Sequence, residues 1–158
     1  VSDAICKTIK EFESNGDMYI AEAHFGDFYD AMTGDPALFQ VFVTPYGLTE
    51  ININSRILGG MTIDEIGEKI AGTKDNLPQN LIEAVIHECG HAKAYYGKTI
   101  RQVAAMNDDL LSKGVDGISE IAKLDGAEAI AEVEVLLYRG FEVPEEAMKL
   151  YNEYVKGK

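Results

Sequence analysis

Apolar residues recur at helical spacing near the start of the chain: Ile5, Ile9 and Phe12 stand three to four apart within residues 2–14, and Asn15-Gly16 follows as a stop signal. The segment predicts a helix. The period then shortens. "MYIAEAHF" (18–25) alternates as a strand does, and "DFYDAMTGDPA" (27–37) carries turn residues that predict a loop with one helical turn. "LFQVFV" (38–43) and "LTEININ" (48–54) predict two strands joined by the turn "TPYG" into a hairpin. In the second of these Leu48, Glu50, Asn52 and Asn54 share one polar face while Thr49, Ile51 and Ile53 share the other, which predicts an edge strand open on one side.

Beyond Gly59-Gly60 the period is that of helices. Thr62 and Glu65 form a capping-box pattern ahead of "IDEIGEKIAG". A central helix is expected from Pro78 to Gly97, with further helices over 100–112, 118–124, 127–139 and 145–155. The order of elements predicts an α+β fold in one domain, with a small antiparallel or mixed sheet over about 1–60 and a mostly helical part over about 61–158.

The central helix holds "VIHECGHA", with His87 and His91 four residues apart and Glu88 beside the first. With His87 at zero on a helical wheel, His91 falls at about 40°, Tyr95 at about 80° and Glu88 at about 100°. Leu81, Ile82, Val85, Cys89 and Tyr96 fall between about 120° and 220°, and Ile86 at about 260°. The pattern predicts a helix that packs by its apolar side and offers its histidines to a cleft, with Gly90 admitting another backbone close by. Two imidazoles one turn apart can share a zinc ion at about 2.0–2.1 Å, and a glutamate offset from them is placed to take a proton from water. The competing reading is a solvated polar face.

His87-Glu88-Cys89-Gly90-His91 resembles the H-E-x-x-H signature of the zincin metallopeptidases. The resemblance implies a zincin-like fold, one Zn²⁺ held by His87 and His91, and Glu88 as general base in peptide-bond hydrolysis. The metzincin extension is absent, since Ala94 and Gly97 stand where its Gly and His would be. No histidine follows His91, so the third ligand is a carboxylate unless His24 folds over the site.

"GAEAIAEVEVLLYRG" (126–140) is the strongest source. With Glu128 at zero, Glu132 falls at about 40° and Arg139 at about 20°, opposite Ile130, Val133 and Leu137. The segment looks like the second helix of the gluzincin subgroup, which implies Glu128 as third ligand and Glu132 as the carboxylate that hydrogen-bonds a zinc-bound histidine. A surface helix, or Glu132 as the ligand, are the alternatives; Asp108 and Asp109 are weaker candidates. The strand followed by an H-E-x-x-H helix is also similar to zincin domains of phage and mobile elements. By the same resemblance a peptide substrate would pair with the strand 48–54, and Tyr95, Tyr138, Arg139 or His24 would donate to the oxyanion.

A formal charge of -13 argues against nucleic acid and anionic membranes as partners and favours basic or unstructured peptides. No apolar run is long enough for a membrane span, and Cys6 and Cys89 make no disulfide framework. The opening segment starts on Val and has no apolar core of a secretory leader; a fragment or processed product in a reducing, cytosolic-type compartment is the expectation. The competing functional expectations are a zincin-like module that binds metal without catalysis, within a larger assembly protein, and a metal-free helical interaction protein.

Overall fold

In the computed structural model, which describes residues 1–30 and 34–156, the first apolar stripe becomes helix α1 (Ser2–Glu13), with Ile5 and Ile9 turned into the core. The helical turn expected within residues 27–37 falls in part on residues 31–33, outside the described residues. The strand expected over 18–25 forms later, as β1 (Glu22–Gly26); Met18 and Ile20 are buried ahead of the ladder.

The hairpin forms as β2 (Phe39–Val43) and β3 (Thr49–Asn54), paired antiparallel. Gly47 closes its turn by donating its N–H to the Thr44 carbonyl at 2.9 Å, with a φ of 78° that disfavours any residue with a Cβ. β1 adds parallel to the other side of β3, giving a mixed sheet in the order β1-β3-β2. The strand expected at an edge is therefore the centre, with Ile51 and Ile53 fully buried on its inner face. Alternation reports one exposed face and is silent about neighbours within the sheet, so it could not separate edge from centre. Asn54, read as part of the open face, is buried; its amide donates to the Phe28 and Ala37 carbonyls and its side-chain oxygen caps the short α2 (Ser55–Leu58).

The free edge beside the helices belongs to β2. Thr44 and Leu38 bond to Leu48 and Asn54, so positions 38, 40, 42 and 44 exchange hydrogen bonds with β3, while Phe39, Val41 and Val43 turn their backbone groups outward.

Helix α3 (Ile63–Ala71) carries the expected capping box of Thr62 and Glu65. The central helix α4 (Leu81–Tyr95) starts after Pro78, because the Asn80 side chain accepts from the Glu83 N–H and fixes the first turn there. Then follow α5 (Ile100–Leu110), α6 (Glu120–Leu124), α7 (Gly126–Arg139) and α8 (Glu145–Tyr151), the last running into a π turn over Asn152–Lys156. α7 is capped at its start by Asp125 and stopped at Gly140. The chain is α+β as expected. No helix among the described residues is long and apolar enough to cross a membrane.

α4 lies against α7, α1, α3 and β2. The side that carries His87, Glu88 and His91 lines a cleft, as expected, but the packed side is drawn differently: Ile82 and Tyr96, assigned to it, are exposed. At Gly90 the backbones come close: an added Cβ would stand 2.7 Å from the Ala131 Cα of α7.

Candidate metal centre

The i, i+4 spacing on α4 stacks His87 over His91, with ring centroids 5.1 Å apart and the rings edge to face. Because Gly90 and Ala131 bring the two helices together on this side, the first turn of α7 reaches both rings. Glu128 places one oxygen 3.0 Å from His87 Nε2 and the other 3.5 Å from His91 Nε2. One donor atom from each of the three lies within 4.8 Å of the other two. Donors bound at about 2.0–2.1 Å in a tetrahedron stand roughly 3.3–3.4 Å apart, near the 3.0 Å and 3.5 Å from the Glu128 oxygens to the two nitrogens, and an N, N, O donor set is one that zinc accepts.

Glu132, one turn further along α7, is fully buried and stands 3.4 Å from His87 Nδ1, the ring nitrogen turned away from Glu128. Its second oxygen accepts from the Leu77 N–H at 2.9 Å and the Ser119 hydroxyl at 3.1 Å. An imidazole held this way presents Nε2 in a fixed direction.

These contacts set the charges. Burial opposes the imidazolium at His87, but hydrogen bonds to Glu128 and Glu132 outweigh it and hold the ring well above its ordinary pKa. At His91 burial is likewise outweighed, here by Glu128 alone among its hydrogen-bond partners, and the pKa is raised. Glu128 is the counterpart: burial resists its ionisation, yet His91 and His87 pull it well below the ordinary carboxylate range. Glu88 goes the other way, because burial raises its pKa further than His91, His87 and a backbone hydrogen bond from Val41 lower it.

A cleft of about 490 Å³ opens over this group, lined on one side by Leu38, Phe39 and Val41 of the β2 edge and on the other by His87, Glu88 and Glu128. Tyr95 also lines it. Its phenol oxygen accepts from Asn107 at 3.2 Å, its ring is 6.2 Å from that of His91, and burial pushes its pKa up to about 12. The other residues considered as oxyanion donors are elsewhere. Arg139 is committed to Glu83, with Nε at 2.9 Å, and to the Leu77 carbonyl at 2.8 Å. Tyr138 is exposed and does not line the cleft. His24 sits on β1, bonded to Glu50 at 2.8 Å, which also removes it as a third ligand. Asp109 is taken up by Lys113 and Tyr154.

Sequence reasoning missed Asn76, which lines the cleft with its side-chain oxygen buried and without a hydrogen-bond partner; nothing in its loop distinguished it beforehand. It also missed a second buried cluster. Glu134 accepts from Lys93 at 2.9 Å and from the Tyr151 hydroxyl, and Lys93 lies over the Phe12 ring and 3.5 Å from Asp17. A glutamate on the apolar side of α7 was the available signal. Cys89, inside the motif, points into the core, where burial pushes its thiol up and makes it a poor ligand.

No family model matches this chain, and neither a curated protein nor a solved structure matches it.

Proposed function

We propose that the chain is a zinc-dependent peptidase of the H-E-x-x-H type, with His87, His91 and Glu128 as ligands and Glu88 as general base. One observation carries the reading: two imidazoles and a carboxylate converge within ligand distance on the wall of a cleft, with a second carboxylate beside them in the same cleft. Zinc in such a site supplies a Lewis acid that lowers the pKa of water from about 15.7 to roughly 7.

The protein's own groups supply the rest. Glu88, with its raised pKa, is suited to accept a proton from the attacking water and return it to the leaving nitrogen. Glu132 keeps His87 oriented. The free β2 edge offers the outward backbone groups of Phe39 and Val41 to an extended peptide, the role first expected of the strand 48–54, which is closed on both sides.

The test combines metal content with one variant. The purified chain is expected to hold one zinc in the cleft, and Glu88→Gln to keep it while losing about 10²–10⁴-fold in cleavage of an unstructured peptide library. A cleft that takes up no zinc removes the reading at its first step. Zinc retained with equal activity in wild type and Glu88→Gln would instead identify a metal-binding module without catalysis.

A further inference from the structure

We infer that the outer face of the sheet carries a second divalent-metal site, formed by Glu22, His24 and Glu50, which bridges β1 to β3 independently of the cleft. The strand register builds it. Glu22 lies directly opposite Glu50 across the parallel β1–β3 pair, and His24, two residues along β1, shares their face. One donor atom from each of the three lies within 4.8 Å of the others, with His24 Nε2 already 2.8 Å from Glu50.

Two further features favour a cation there. Carboxylates directly opposite each other on neighbouring strands repel, and among the described residues no Lys or Arg is paired with either one. The His24 ring also packs at 6.1 Å against Phe42, the residue of β2 in register with Glu50, which holds the imidazole over the sheet. Rigid strands thus present a nitrogen and two carboxylates to one point, where a cation replaces repulsion with attraction.

The donor set selects the class of metal. Calcium and magnesium favour oxygen ligands, whereas an imidazole beside carboxylates suits zinc and its first-row neighbours. Glu22 is exposed and His24 half-exposed, so solvent completes the coordination and the site is weaker than the cleft's. Its effect is to fasten β1 to the centre of the sheet.

Zinc titration calorimetry of the full chelator-stripped chain, in excess magnesium, tests this. Wild type is expected to take up two equivalents. Glu22→Gln, which keeps its shape at an exposed position, and His24→Ala should each weaken one equivalent by at least tenfold, while Glu128→Gln should weaken only the other. A single equivalent that survives both Glu22→Gln and His24→Ala overturns the inference, as does a second equivalent that neither variant touches or one that magnesium abolishes. A single equivalent lost in His24→Ala and untouched by Glu128→Gln would uphold the sheet site and remove the peptidase reading. No zinc uptake at all would remove both.

Discussion

Two buried glutamates of α7, Glu132 and Glu134, lie two residues apart and meet opposite fates. Glu134 is answered by an ammonium and a phenol, from Lys93 and Tyr151. That cluster lies apart from the cleft, whose lining includes none of Lys93, Glu134 and Tyr151. Glu132, with Glu128, is answered by imidazoles, which can give up a ring proton and take a metal in its place, and the cleft opens on them. A buried carboxylate paired to lysine ties elements together. The same group paired to histidine leaves a place where a metal can replace a proton.

The largest expected effect tests the lysine-paired cluster. Lys93→Met strands Glu134 without its cation, and breaking such a buried pair is expected to destabilise the fold by about 3–5 kcal/mol. Urea unfolding of the metal-free chain measures this, and zinc stoichiometry should not change. A variant that lost both would join the two clusters into one system and end the contrast.

A smaller effect is expected at the histidine-paired cluster. Glu132→Gln should lower zinc affinity about 10–100-fold by calorimetry, because the carboxylate behind His87 raises its basicity and fixes its direction. Unchanged affinity would place Glu132 with Glu134 as a purely structural group.

The smallest concerns pH, and its sign follows from the shifts at the histidines. Their raised pKa values mean that in the metal-free fold the rings stay protonated above the ordinary value of about 6.5, so zinc must displace that proton. Affinity should rise by up to about tenfold per pH unit for each competing proton, levelling once pH passes the raised values. Without metal, the stability due to the charged imidazoles is full below about 6.5 and lost as pH climbs through those values. Glu128 contributes above the ordinary carboxylate range and loses its contribution as pH falls through its lowered pKa. Melting curves of the metal-free and zinc-loaded chains should therefore separate as pH rises from about 6.5, the first losing stability and the second gaining it. Parallel curves would show that the rings hold no proton for zinc to displace.

The helices and the histidine–glutamate cluster were legible because both depend on local periodicity. Four-residue spacing on one helix brings His87 over His91, and the same spacing on another puts Glu128 and Glu132 on one side, whatever surrounds them. What escaped depends on partners distant in sequence. The central position of β3 is decided by β1, more than twenty residues earlier. Which residues of α4 are covered is decided by α1 and α7, packed against it from distant parts of the chain. Arg139, on the same stripe as Glu128, is drawn off by Glu83 and Leu77, and no spacing within α7 could show that. Asn76 owes its place to a loop whose course is set by neither period.

Gly90 gives the histidine motif a measuring function. The distance from His87 and His91 to Glu128 is the separation of two helices, and that separation is set where the Gly90 backbone meets Ala131. A side chain of any size there would act as a shim, moving the carboxylate away from both nitrogens at once while leaving every ligand in the sequence intact. The spacing that the proposed zinc site would require is thus recorded in the chain by the one residue of the motif that has no side chain to bind it with.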